Sequence, residues 1–590
     1  KMCGFSNARI AFQVLFCYTE SNNGRGRQPA ARLSEYNTDC VKDKGWKPKM
    51  ISGAEIMVRC LEAEGVDTLF GYPGAAICPF YDKLYDSAIR HVLVRQEQNA
   101  AHAASGYARA SGRAGVCVAT SGPGALNLIT GIATAYMDSI PVIAITGQIN
   151  LEQLGRDVFQ EADITGACES ITKHSYLVKD AAELPRVFRE AFHIATTGRP
   201  GPVLIDVPID VQQQEIEGPF VYPEKADIPG YKPTTQGHPV QIKRALAAIE
   251  AAERPVICCG GGVVLAGARE EMTAFATNSG IPIVSTMMGI GVMPMHSPVY
   301  LGMIGLYGRS YANRAVREAD LIILCGARVG DRAVAAPNQI AAQAKVIHID
   351  IDPAEIGKNM RADIPIVGDI RGILRTMAEK VKKTDRSGWI DRVLGYKAAF
   401  VPRGEPRSDF VEPRAFIRRL SEMMQEDAIL VADPGQSQIW AAINFTQREG
   451  RFLTSGGLGT MGYSLPAGLG AAIAKPRRQV VSVCGDGAFQ MSMCELGTVC
   501  QSHVALKIIV FDNARLGMVR ELQDKQYGGR HCGTYLGGGN PDFVALCGAY
   551  GIPARLAASN AEAERYAAEM LAAKGPFVLV CRTDPDTPTV

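Results

Sequence analysis

Two apolar runs near the C-terminal end of the chain each finish in hard oxygen donors, and this pairing constrains the fold more than any other feature. The run VVSVC (480–484) feeds Gly485-Asp486-Gly487, and KIIVF (507–511) leads to Asp512-Asn513. The glycines let backbone approach a phosphate, and the Asp486 carboxylate and Asn513 amide oxygen suit a magnesium ion bridging a diphosphate. A GDG triplet alone marks an ordinary turn. The intervening residues 488–511, however, are enough for one crossover helix between adjacent parallel strands, which places both donor sets at the same end of one sheet.

Size and composition narrow the class. A chain of 590 residues exceeds one ordinary hydrophobic core and divides into several domains. With 47 % apolar and 21 % charged residues and a formal charge of +2, it reads as a packed globular protein. Neither a nucleic-acid partner nor a membrane partner is expected, since there is no basic stripe with interleaved aromatics and no apolar run long enough to span a bilayer. Sixteen cysteines are too dilute for a disulfide scaffold, and several sit inside apolar runs such as VICCG (256–260). A reducing, cytoplasmic compartment is expected, with an organelle left open.

Residues 1–50 lack durable periodicity and are read as an unassigned extension: an expression-derived or mis-set start, a functional tail or a transit peptide. From 51 to 212, strands such as TLFGY, HVLVR and GVCVATS alternate with helices such as EQNAAHAASGYARAS. The class is α/β, with three domains that each hold a mostly parallel sheet flanked by helices. A proline-dotted stretch, 213–237, reads as a linker. A middle domain, 238–375, carries VICCGGGVV, LIILCGARVG and KVIHIDIDP, a charged linker spans 376–410, and a last domain covers 411–585. The Gly260-Gly261-Gly262 triplet lacks the full dinucleotide fingerprint and by spacing alone is a tight strand-to-helix turn.

The stretches RQEQNAAHAASGYAR (95–109), ATSGPGALNLITGIATAYMDSIPVIAITGQ (119–148), FQEADITGACESITKHSY (159–176), GRPGPVLIDVPIDV (198–211), TSGGLGTMGYSLPAGLGAA (454–472) and GDGAFQMSMCEL (485–496) resemble the catalytic subunit of the acetohydroxyacid synthase (acetolactate synthase) family of thiamine diphosphate enzymes. The resemblance covers residues 51 to 585. It implies thiamine diphosphate, Mg2+ and FAD as cofactors. The expected reaction condenses pyruvate, after decarboxylation, with pyruvate or 2-oxobutanoate. A homodimer or homotetramer with a possible small regulatory subunit is implied as well, because in that family each active site draws on two subunits. Alternatives are another thiamine diphosphate-dependent decarboxylase, oxidase or carboligase, and a non-catalytic scaffold that kept the fold.

The resemblance also implies residue roles. Glu97 hydrogen-bonds the aminopyrimidine ring of the cofactor, tuning chemistry that belongs to the cofactor. Asp486 and Asn513 ligate the metal, with the backbone carbonyl of Arg515 as third protein ligand. Gly435, Gln436 and Ser437 form a diphosphate turn, with Ser437 where the family commonly has histidine; Gly485 and Gly487 flank the metal ligand. Gly459 offers its carbonyl to the pyrimidine amine, and Met461 is the wedge that bends the cofactor. Gln160, after Phe159 at the substrate pocket, lies near the reacting carbonyl. Gly260, Gly261 and Gly262, with LGMIGLYG (301–308), GARVGDR (326–332), HIDIDPAEIG (348–357) and Gly368-Asp369, fall where the family binds FAD.

Arg328 is the candidate grip for the carboxylate of the second 2-oxo acid, since a guanidinium offers two parallel hydrogen bonds. Val329 and Gly330 depart from the family's usual GARFDDR. Asp512 replaces a usual asparagine, and the chain ends at RTDPDTPTV without the family's longer proline-bearing tail. Leu522 stands where the family usually has a tryptophan that shapes the acceptor pocket, so a weaker bias toward 2-oxobutanoate is expected.

Overall fold

The computed structural model describes residues 50–334, 342–400 and 409–590. The reading of the N-terminal extension lies outside these residues, apart from Met50. Three six-stranded sheets, parallel throughout, organise the chain. The central strands, such as Val142–Gln148, Leu321–Cys325 and Val480–Gly485, are short, largely apolar runs buried on both faces, as strands covered by helices on either side must be.

After β1 (Met50–Ser52), the first sheet holds β2 (Thr68–Tyr72), β3 (Arg90–Leu93), β4 (Gly115–Ala119), β5 (Val142–Gln148), β6 (His174–Leu177) and β7 (Val203–Pro208), in the order β3-β2-β4-β5-β7-β6. Next comes β8 (Glu215–Glu217), which pairs antiparallel with β1 and ties the start of the 213–237 stretch to the first sheet's own beginning. The second sheet contains β9 (Pro255–Cys259), β10 (Ile283–Ser285), β11 (Tyr300–Met303), β12 (Leu321–Cys325), β13 (Lys345–Asp350) and β14 (Ile364–Val367), ordered β11-β10-β9-β12-β13-β14. The third has β15 (Ile429–Ala432), β16 (Arg451–Thr454), β17 (Val480–Gly485), β18 (Lys507–Asp512), β19 (Ala554–Ala557) and β20 (Phe577–Arg582), ordered β16-β15-β17-β18-β20-β19.

Counting strands within each sheet, the first and third share one order, second-first-third-fourth-sixth-fifth. The middle sheet instead runs third-second-first-fourth-fifth-sixth, the doubly wound order of dinucleotide-binding folds. In such sheets ligands sit beyond the C-terminal strand ends where the order reverses. Those points are β2/β4 in the first sheet, β9/β12 in the second and β15/β17 in the third.

One helix of the first unit, α1 (Glu97–Ser111), crosses one of the third, α2 (Ser464–Ala474), and their side chains join one hydrophobic core. The crossing is closer than side chains permit. A Cβ at Gly106 would lie 2.0 Å from the Ala467 carbonyl oxygen, and one at Gly470 would lie 1.9 Å from that of Ala103. Backbone meets backbone, so even a methyl group must push the helices apart. Gly470→Ala is expected to lower the thermal unfolding midpoint by on the order of 5 °C, because overpacking a well-filled core costs about 1–3 kcal/mol. Gly372→Ala, at an exposed helix position with open space around it, is the control; equal midpoints for the two variants would contradict this account of the crossing.

The 376–410 stretch is not the plain linker that its charge indicates. Residues Ser387–Ala398 form a helix that docks on the second sheet. Trp389 is buried there and donates from Nε1 to the Pro255 carbonyl, Val393 is buried beside it, and Tyr396 donates to Glu318. Leu394 packs partly buried against the same cluster, so a few apolar anchors fix a helix in a largely charged stretch.

Candidate active site

The third sheet's switch point collects the acidic and amide donors. Gly435 follows β15 with φ +126°, a conformation that favours glycine, and opens the helix Gln436–Asn444. Asp486 follows β17 directly and is almost fully buried. Burial, with Asp512 nearby, pushes its carboxyl up to about 7 despite the Asn540 amide that donates to Oδ2 at 2.8 Å. A buried carboxylate beside a second one is poorly compensated by protein alone and favours a cation. Asn513, also buried, accepts from Arg515 N at Oδ1 and donates from Nδ2 to Gln436. Around the Cα atoms of Gly435 and Gly459 there is open space, and only the Phe511 oxygen comes within 4.0 Å of a Cβ built at Gly485. The group therefore has the donor chemistry and the room for a metal-bound diphosphate. Ser437 turns away from that space: its hydroxyl donates back to the Asp433 carbonyl.

Met461 approaches Gly487, with its Cε 3.7 Å from a Cβ built there. The loop that carries Gly459 and Met461 is held by carboxylates that sequence reasoning missed. Asp433 accepts from Gly462 N at 2.8 Å and Ser464 N at 2.7 Å, and burial raises its carboxyl to about 6. From the first sheet's side, Asp138 accepts from Gly457 N at 2.7 Å, and Thr134 meets Thr460 at 2.7 Å.

At the first sheet, Glu97 opens α1 just beyond β3. Its Oε2 accepts from Asn127 Nδ2 at 2.9 Å, and Gly124 leaves the space that its Oε1 borders. No side chain of α1 caps this helix. The buried Glu495 takes that part from the third unit, with Oε1 accepting from Arg95 N, Gln96 N and Asn99 Nδ2 at 2.9–3.1 Å. Gln160 sits near Gly122 with φ +59°, a strained conformation for a residue of its size, and Phe159 before it is 86 % exposed. Among the described residues, the hydrogen-bond partner of Glu97 is Asn127 of its own domain, and Asp486 is bonded in a separate cluster.

At the middle sheet's switch point, a cavity of about 1100 Å³ is lined by Gly261 and Gly262, by Met303 and Tyr307, by Arg328, and by Asp350 and Asp369. It also reaches Gly459 and Met518 of the third unit. The four stretches read as flavin-contacting thus converge on one space. Gly260 serves close packing instead: a Cβ there would meet the Gly326 oxygen at 2.2 Å. Position, size and glycine lining fit a dinucleotide such as FAD.

Arg328 lines this cavity, and burial, with Arg199 adding to it, pulls its pKa below the usual arginine value, against the pull of Asp138, Glu355 and Asp350. On balance its buried charge is left under-compensated. Arg332, which sequence reasoning passed over in the same GARVGDR segment, lines the same cavity with a largely exposed side chain and Asp331 at 3.7 Å. Leu522 is 46 % exposed on the helix Gly517–Tyr527 and does not line the cavity, whereas Met518 of that helix does.

The chain matches the thiamine pyrophosphate enzyme N-terminal TPP binding domain over residues 51–167, the central domain over 242–377 and the C-terminal TPP binding domain over 433–581. It is 48 % identical to a probable acetolactate synthase large subunit of Methanocaldococcus jannaschii, across 91 % of this chain and 92 % of that protein. It is 47 % identical to the acetolactate synthase large subunit of Corynebacterium glutamicum, across 85 % and 81 %. With the acetolactate synthase isozyme 3 large subunit of Escherichia coli it shares 42 %, across 85 % and 89 %.

Proposed function

Because the chain belongs to the acetolactate synthase large-subunit family of thiamine pyrophosphate enzymes, we propose that it condenses pyruvate with a second 2-oxo acid, releasing one carbon dioxide. The products are 2-acetolactate from two pyruvates and 2-aceto-2-hydroxybutanoate from pyruvate and 2-oxobutanoate, steps of branched-chain amino acid biosynthesis. The observation that carries this reading is the placement of Asp486 and Asn513 beyond one sheet and Glu97 beyond a second sheet of the same strand order. That is a two-ended seat for a cofactor with a diphosphate at one end and a ring at the other.

Thiamine diphosphate, when bound, supplies the carbon nucleophile that adds to the 2-oxo acid. The protein's residues hold and orient. Asp486, Asn513 and the Arg515 carbonyl would hold Mg2+, with Gly435, Gln436, Gly485 and Gly487 around the diphosphate. Glu97 would hold a proton at the ring nitrogen of the pyrimidine. Met461 and the Gly459 carbonyl would orient the cofactor, and Gln160 would orient the reacting carbonyl. Arg328 and Arg332 both line the cavity, and the buried, under-compensated charge of Arg328 makes it the better partner for the acceptor carboxylate, with the solvated Arg332 beside Asp331 as a secondary contact. FAD would sit in the middle cavity as a structural group, since the condensation involves no net oxidation.

Exposed apolar side chains flank both half-sites: Phe159 on one, Val519, Leu522 and Tyr535 on the other. With Glu97 and Asp486 in separate clusters, this supports a homodimer, or a tetramer of such dimers, in which each subunit completes its partner's site. The designation of the three relatives above as large subunits supports a smaller regulatory partner. Among the described residues no helix is long and apolar enough to cross a membrane.

Competition between pyruvate and 2-oxobutanoate tests the pocket reading. Leu522→Trp is expected to raise the fraction of 2-aceto-2-hydroxybutanoate, because pocket differences of this size discriminate by roughly 1–3 kcal/mol. Equal product ratios in wild type and variant would remove Leu522 from the acceptor pocket.

A further inference from the structure

The helix Gly517–Tyr527 buries none of its residues, so apolar packing does not hold it. Polar contacts to the C-terminal segment do. Oε1 of Glu521 accepts three hydrogen bonds, from Gln436 Nε2 at 2.8 Å and from Thr589 N and Oγ1, both at 2.7 Å. Gln436 Nε2 also donates to the Thr587 carbonyl at 3.0 Å, and Trp440 Nε1 donates to that of Pro588 at 3.0 Å. Thr589 is fully buried, although it is the penultimate residue of this chain.

Gln436 carries this anchoring inward. Its Oε1 accepts from Asn513 Nδ2 at 3.0 Å, which fixes which way the Asn513 amide faces and leaves Oδ1 as its acceptor end. The space for this contact is built into the helix start. A Cβ on Gly517 would lie 1.9 Å from Gln436 Oε1 and 3.0 Å from Asn513 Nδ2, so any side chain there displaces Gln436.

We propose that Glu521 is a positioning residue for the metal: with Gly517 and the segment Thr587–Thr589 it locks Gln436, and through Gln436 it presents the Asn513 oxygen to Mg2+. This rests on Asn513 being a metal ligand. The carboxylate suits the role because it accepts without donating, so all three donors converge on one oxygen without conflict. Outer partners of this kind commonly control metal affinity as strongly as they control geometry.

The test is a titration of the purified full chain with Mn2+, in the presence of thiamine diphosphate, with free metal read by electron paramagnetic resonance. Glu521→Ala and Gly517→Ala are each expected to weaken Mn2+ binding by about 10–100-fold, the range typical of lost outer-shell partners. Glu521→Gln, which keeps the accepting oxygen, is expected to stay close to wild type. In the two alanine variants excess Mg2+ restores kcat with the pyruvate KM unchanged, a recovery that a merely structural anchor would not give. Wild-type Mn2+ affinity in both alanine variants, or a loss of kcat that excess metal leaves in place, overturns the proposal. Asn513→Ala separates this from the ligand reading beneath it. Wild-type Mn2+ binding in that variant removes Asn513 from the metal site, and the proposal with it. Loss of binding there, with none in the Glu521 and Gly517 variants, removes only the positioning role.

Discussion

Replacing Glu97 with glutamine is expected to cut acetolactate formation by about 10²–10⁴-fold, the usual contribution of a positioned proton-transferring group, while cofactor binding persists. The argument is local. Glu97 is the first residue of α1, its Oε2 receives the Asn127 amide, and Gly124 leaves the volume that its Oε1 borders. Glutamine keeps the shape, and its amide oxygen still accepts from Asn127, so the fold is unchanged. What is lost is a carboxylate able to share a proton with a ring nitrogen. Thiamine diphosphate titrated against the variant by fluorescence should bind as in wild type, with turnover alone collapsing. Turnover within a few fold of wild type would show that another residue holds that proton.

The second large effect is at the metal pole. Asp486→Asn is expected to weaken Mg2+ binding by more than the roughly 10–100-fold that loss of an outer-shell partner produces, and to weaken binding of the diphosphate cofactor with it. Without cofactor the sign reverses. Burial is the first cause that raises the Asp486 carboxyl to about 7, so folding disfavours its ionised form. That cost is fully present above about pH 7 and is relieved as pH falls through it. At pH 8 the cofactor-free variant should therefore unfold at a temperature no lower than cofactor-free wild type, whereas with thiamine diphosphate and Mg2+ added wild type should be the more stable. Calorimetry of both proteins in both states reads this crossing, and a variant destabilised in the absence of cofactor would mean that Asp486 has a structural role the packing does not show.

How much of this was legible in the sequence depends on where each residue's partner lies. Strands such as Leu321–Cys325 and Val480–Gly485 are unbroken apolar runs because both faces are covered, and a run ending in Gly-Asp-Gly states its own end. The helix Ser387–Ala398 was missed because its docking rests on Trp389 and Val393 within an otherwise charged stretch. The holders of the cofactor loops were invisible for a different reason. Asp138, Asp433 and Glu495 act on backbone N–H groups of distant segments, and a backbone donor leaves no mark in the sequence. Only position gave a hint, since Asp433 follows a strand directly and Glu495 closes the GDGAFQMSMCEL stretch.

Strand order was likewise unreadable from the alternation of elements. The two cofactor sheets and the middle sheet share a βα rhythm, and it is the strand pairings, such as β9 between β10 and β12, that separate a dinucleotide-type sheet from its neighbours. Arg328 and Arg332 belong to one short segment, and what separates them is burial: Arg328 is desolvated, while Arg332 is largely exposed beside Asp331.

The most direct test of the account is acetolactate formation from pyruvate alone by the purified chain, with thiamine diphosphate, Mg2+ and FAD supplied. The account predicts one 2-acetolactate and one carbon dioxide for every two pyruvates consumed; consumption of pyruvate with release of acetaldehyde, or with uptake of oxygen, in place of acetolactate would contradict it.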